Sequence, residues 1–292
     1  MRVLIVGCGY VGLPLGAELV RQEHEVFGLR RNPAAAGELE AVGIKPLFAD
    51  ITQPGNLETL PRDFDWVVNC AASGGGGAAA YRELYLTGNL NLIEWLRAAP
   101  PRRYVYTSST SVYGQNDGAL VVETDPVAPE SETGKILVMT ENLLLAAATE
   151  MKFPAVILRL AGIYGPGRGY WLKQFLNGEA RIEGDGSRLL NMIHRDDVVG
   201  AIIAALKHSP VAQVFNVVDN APVSQLDMFQ WLAEKLGRPL PPTAPADAES
   251  IRRRGVTNKR VSNQRLKKML GYEFKYPTFR QGYTAELQRL TL

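Results

Sequence analysis

The chain is poor in residues that bind metal or form cross-links. Two cysteines, Cys8 and Cys70, and three histidines are scattered through 292 residues. Neither type has the spacing of a zinc site, and two cysteines make no disulfide framework. Both cysteines fall beside expected strand ends in the first half, as small core residues of a protein kept in a reducing compartment. An excess of charge is also missing. Thirty-two basic against 30 acidic residues leave a net charge of +2, no footprint for nucleic acid or a membrane surface. The triplet Arg252-Arg253-Arg254 is short and reads as a solvated face. No apolar run reaches the ~20 residues of a membrane-spanning helix. The chain opens on a strand pattern with no basic-then-apolar leader, so a cytoplasmic protein is expected. No GxSxG elbow and no Walker A motif occur.

What is present is β/α alternation. Candidate strands lie at 2–6, 25–29, 45–48, 65–70, 103–107, 154–159 and 214–218. Between them, 13–22, 34–42, 80–98, 133–150 and 196–207 carry helical spacing of apolar residues. This predicts a doubly wound, parallel α/β sheet. Later segments differ in texture: 165–190 are rich in Gly and charge, and 237–250 in Pro and Ala. Residues 1–164 plus 193–220 are therefore expected to form the sheet domain. Residues 165–192 plus 221–292 would form a smaller C-terminal lobe. The patch SGGGGAAA over 73–80 is either a ligand-facing loop or a mobile one.

The first strand runs into Gly7-Cys8-Gly9-Tyr10-Val11-Gly12 and then a helix. In that context Gly7 permits a tight turn, Gly9 lets backbone approach a pyrophosphate, and Gly12 lets helix pack on strand. The helix N-terminus is an anion site, so the turn predicts a bound dinucleotide. The second strand ends in Arg30-Arg31, where a carboxylate would accept from an NAD ribose. Arginine forks suit a 2′-phosphate, which favours NADP over the alternative, NAD. The competing reading is two solvated surface arginines.

Further motifs follow in order: FADIT with Asp50, NCAAS at 69–73, TGNLNLIEWL at 87–96, YVYTSSTSVYG at 104–114, RLAGIYGPG at 159–167, NMIHRDDVV at 191–199 and FNVVDNAPVS at 215–224. This order resembles the extended short-chain dehydrogenase/reductase family, which contains NAD(P)-dependent nucleotide-sugar epimerases and dehydratases. The resemblance implies a Rossmann sheet with a substrate lobe. It also implies a cofactor cleft made by Gly7, Gly9, Tyr10, Val11, Gly12, Arg30, Arg31, Asp50, Ile51, Ala71, Ala72, Ser73, Thr107, Ser108, Gly162 and Ile163. Asp50 would meet adenine, and Ser109 would hold the substrate oxygen.

The family's chemistry uses a tyrosine and a lysine one helical turn apart. The lysine lowers the phenol pKa from about 10 so that the phenolate can exchange a proton. Aligned on Gly134 and Glu141, the tyrosine position holds Thr133 and the lysine position Leu137. Lys135 faces elsewhere on the helix. The chain thus resembles atypical members lacking the pair. Thr133, Tyr113 and Tyr164 are the nearby hydroxyls, the tyrosines also reading as packing aromatics. His194 reads as a structural histidine ahead of a helix capped by Asp196, and no metal site is expected. Arg168, Trp171 and Arg188 in the lobe would recognise a small-molecule, sugar-like or nucleotide-linked substrate, or are surface residues.

Two functions follow: an epimerase/dehydratase-like oxidoreductase working through an altered acid–base arrangement, or a non-catalytic NADP(H)-sensing or scaffold protein. A homodimer through helices 80–98 and 133–150 would use Leu84, Leu92, Leu144 and Leu145, which core packing explains equally well.

Overall fold

The structure is a computed structural model and describes residues 1–245 and 257–290. The triplet Arg252-Arg253-Arg254 therefore lies outside the described residues. Seven parallel strands form the central sheet: β1 (Arg2–Val6), β2 (Glu25–Arg30), β3 (Lys45–Phe48), β4 (Trp66–Asn69), β5 (Arg103–Ser109), β6 (Ala155–Leu160) and β7 (Gln213–Val217). Their spatial order is β3-β2-β1-β4-β5-β6-β7. The apolar runs explain the burial on both faces, since Val3, Val67, Val105 and Ile157 are all fully enclosed.

The order reverses between β1 and β4, which pair in register from Val3 opposite Trp66 to Val6 opposite Asn69. Ligand crevices form at the carboxyl ends of strands at such a reversal. Helix α1 (Gly12–Arg21) follows β1 there. Helix α2 spans 77–96 and is π-helical over Arg82–Thr87 between α-helical Gly77–Tyr81 and Gly88–Leu96. Helix α3 (Glu132–Glu150) packs beside it, and α4 (Arg195–His208) follows β6.

A second apolar cluster marks the lobe, built from Tyr164, Phe175, Met228, Phe229, Phe279 and Tyr283. The sequence division does not hold for Val261, Leu266 and Leu270. Their side chains join the larger core, so the C-terminal stretch returns to the sheet before its last helix, Phe279–Leu290. Of the four leucines considered for a dimer face, Leu92 and Leu144 are fully buried in the chain's own core. Among the described residues, no helix is long and apolar enough to cross a membrane.

Candidate dinucleotide and substrate cleft

A cleft of about 490 Å³ opens at the β1/β4 reversal. Its floor is the glycine turn. Gly7 has φ +79°, and a Cβ there would lie 2.3 Å from Ala71 Cα, so only glycine is accommodated. Gly9 is different: a Cβ would meet no protein atom within 4 Å. Nothing inside the protein demands glycine at that point, whereas close approach of a ligand to the backbone does. The N-terminus of α1 has no side-chain cap and no acid in its first turn. Ser131 caps α3, His194 caps α4 and Ser224 caps the lobe helix Gln225–Leu236, while α2 and the lobe helix Tyr170–Leu176 start uncapped as α1 does. Uncapped amides carrying the positive end of a helix dipole suit a phosphate. These residues fit a dinucleotide.

The turn also brings Tyr10 and Val11 to the cleft, and the opposite wall brings Ile51, Ala71, Ala72, Thr107, Ser108 and Ile163. Cys8 is sealed beneath, where burial pushes its thiol up to about 12 and keeps it protonated. Cys70, expected as core filler, lines the cleft and hydrogen-bonds the carbonyls of Val6 and Gly7.

At the adenosine end the two arginines diverge. Arg30 Nη1 donates to Glu38 at 2.8 Å and to the carbonyl of Cys8 at 3.1 Å, so its fork is engaged within the protein. Arg31 is 71% exposed and only 3.9 Å from Asp50. Both line the cleft, as does Asn32. Asp50 does not. Its Oδ1 accepts from the amide and hydroxyl of Thr52, each at 2.9 Å. The residues that reach the cleft here are its neighbours Ala49 and Ile51.

The reactive end rests on a buried polar network. Ser108 Oγ donates to Glu141 Oε1 at 2.5 Å. Arg159 clasps the same carboxylate with Nη2 at 2.7 Å and Nε at 3.0 Å. Arg159 Nη1 also donates to Tyr113 Oη at 2.8 Å, and Tyr113 bonds Asn216 at 2.9 Å. Tyr113 is fully buried, with its hydroxyl held in that network. It cannot present a proton to the cleft, which corrects its place among the catalytic candidates.

Thr133 is corrected as well. It lies in the first turn of α3, with its hydroxyl 3.5 Å from the capping Ser131 Oγ, and does not line the cleft. Leu137 reaches the cleft from that helix, while Lys135 pairs with Glu132 at the surface. Ser109 lines the cleft, its Oγ accepting the Ser111 amide at 3.2 Å.

Gly12, Ser73 and Gly162 are not among the residues that line the cleft. The Ser73 amide donates to Tyr85 Oη at 3.2 Å. Trp171 and Arg188 sit apart from this wall, with Arg188 Cζ 5.7 Å from the Trp171 ring, whereas Arg168 is in the cleft itself. His194 is structural but differs from expectation in detail. Its own Nδ1 accepts the Asp196 amide at 3.1 Å and so caps α4, while Nε2 faces Glu286 at 3.2 Å.

Sequence reasoning missed Tyr81, Leu84 and Tyr85, which line the cleft from the π-helical helix α2. The signal in the sequence was weak. Apolar spacing predicts a helix over 80–98 but not the π-turn within it.

Comparison with known proteins gives the fold a lineage. The chain is 28% identical over 284 residues to Protein YeeZ of Escherichia coli strain K12, covering 94% of this chain and 96% of that one. It is 26% identical over 308 residues to the 3-diazoavenalumate denitrifying reductase of a Streptomyces species, covering 98% and 100%. The UDP-glucuronic acid 4-epimerase of Bacillus cereus, solved with NAD, superposes with a TM-score of 0.83 at 22% identity, covering 100% and 99%, a likeness of fold. The family model described as the NAD dependent epimerase/dehydratase family matches residues 3–217, nearly all of the sheet and its crossovers. With the crevice at the strand reversal and the open glycine turn, this chain belongs to the NAD-dependent epimerase/dehydratase family.

Proposed function

We propose that the protein is an NADP(H)-binding oxidoreductase acting on a small or nucleotide-linked, sugar-like substrate, with an acid–base arrangement that departs from the family's Tyr–Lys pair. The observation that carries the cofactor reading is the end of β2. It presents Arg30 and Arg31 to the cleft with no carboxylate in the ribose position, and Arg31 is exposed enough to fold onto a 2′-phosphate.

Bound here, the nicotinamide dinucleotide supplies hydride exchange. The protein's own share is positioning and proton handling. Gly7, Gly9 and the start of α1 hold the phosphates, with Ala71, Ala72 and Ile163 along the wall. Ser108 has its proton committed to Glu141, which leaves Ser109 Oγ to orient the substrate oxygen. Thr133 and Tyr113 are off the surface of the cleft, so the proton is held on the Tyr81 hydroxyl, the half-buried phenol lining the cleft from α2. Leu84, Leu137 and Leu160 keep water from that end. Arg188 lies outside the cleft and is not assigned a substrate contact. Its Nε and Nη2 are buried without a hydrogen-bond partner among the described residues, with Glu183 3.7 Å from Nε.

A leucine at the lysine position favours a second reading, a dinucleotide sensor that binds tightly and turns nothing over.

Fluorescence titration with NADPH and NADH tests the cofactor. The protein should prefer NADPH by about tenfold or more, roughly the 1.4 kcal/mol of one charge-assisted contact, and Arg31→Ala should abolish the preference. Equal affinities in the unaltered protein would overturn the assignment.

A further inference from the structure

Resting on the dinucleotide reading of the cleft, we propose that Arg168 is a phosphate clamp for the cofactor, carried by the lobe across the glycine turn, and not a substrate contact. Tyr10 stands in the middle of that turn, with Arg168 Cζ 5.0 Å from its ring centroid and Arg195 Cζ at 5.5 Å. Cations seat on phenol rings at such distances.

The two arginines are not equivalent. Arg195 Nη2 donates to Asp196 at 3.0 Å, while Arg168 has no carboxylate partner among the described residues and lines the cleft. Its backbone is fixed by a tight hairpin, in which the Gly165 amide donates to the Arg168 carbonyl at 2.8 Å and the Arg168 amide returns a bond at 2.9 Å. That hairpin is wedged on the turn. A Cβ at Gly165 would lie 3.2 Å from Tyr10 Oη, from His194 Nε2 and from Arg195 Cβ.

A guanidinium with no carboxylate partner among the described residues is thus held in the same cleft as the uncapped N-terminus of α1. Two positive features facing one space repel unless an anion lies between them. A pyrophosphate, with a negative charge on each phosphate, meets both at once. The arrangement also links cofactor binding to the lobe, because Arg168 immediately precedes Gly169 and the lobe helix Tyr170–Leu176. A loaded cleft then has the lobe's first helix tethered to the cofactor's phosphates.

Calorimetric titration of the full chain with NADPH, ADP-ribose and adenosine 2′-monophosphate separates the contributions. Arg168→Ala should weaken NADPH and ADP-ribose by about tenfold or more and leave adenosine 2′-monophosphate, which has no pyrophosphate, unchanged. Arg168→Lys should recover part of the loss, since the charge remains and the fork does not. Arg168 is exposed, so an unchanged melting temperature shows that the variants fold. Unaltered NADPH and ADP-ribose affinities in Arg168→Ala overturn the clamp while sparing the cofactor reading. Failure of the unaltered protein to bind any dinucleotide overturns both.

Discussion

The two ends of the cleft are built on different terms. At the glycine turn, Gly7 is forced by a positive φ and by Ala71, Gly9 is left open, and α1 starts uncapped in a cleft shared with Arg168, which has no carboxylate partner among the described residues. Gly9, the start of α1 and Arg168 all face one cleft, an arrangement suited to an anion. At the reactive end the reverse holds. Ser108, Glu141, Arg159, Tyr113 and Asn216 satisfy one another in a closed network, and Leu137 occupies the wall that a lysine holds in the family. The residues around the glycine turn and those of the buried polar network are separate sets, so each end can be tested alone.

The largest test of this contrast is Glu141→Ala. Removing the carboxylate leaves Arg159 buried and unpaired, at a cost of about 3–5 kcal/mol. Chemical denaturation should show that loss, and a stable variant would mean that the network is not what holds the reactive end. Next in size is Tyr81→Phe. Turnover on whichever member of a carbonyl and nucleotide-sugar panel is accepted should fall about 100-fold with dinucleotide affinity unchanged. Thr133→Val should stay within about twofold. If Thr133→Val is the variant that collapses turnover, the reactive end is closer to the family's arrangement than its geometry implies.

The smallest effect belongs to the seam between sheet and lobe. Asp219 is buried, and burial raises its carboxyl to about 7. The fold favours the protonated form, so this contribution is complete below the ordinary carboxylate range and is lost as pH rises through about 7. Between pH 6 and 8 the loss is on the order of 1 kcal/mol. Thermal melts of Asp219→Asn should lack that decline. An identical pH profile in the variant would assign the decline elsewhere.

Most of the fold could be read from the chain. All seven strand positions came from short apolar runs bounded by turn residues, and the observed strands differ from them by two residues or fewer at any end. Strands buried on both faces leave a continuous apolar signature that tolerates little else. The site was legible only where local backbone does the work, as at Gly7 and Gly9. Arg30 and Arg31 looked alike in sequence because an adjacent pair says nothing about which one Glu38 will engage. Tyr113 and Tyr81 were equally opaque. One is folded into the buried network, and the other lines the cleft from the first turns of α2.

The sequence by itself determined the sheet and the glycine turn, because each depends on residue type at a fixed local spacing. Only the tertiary structure decided that Glu38 engages Arg30, that Tyr81 lines the cleft while Tyr113 is buried, and that Arg168 reaches Tyr10 of the turn. Those outcomes depend on contacts between separate segments of the chain, and no local spacing encodes them.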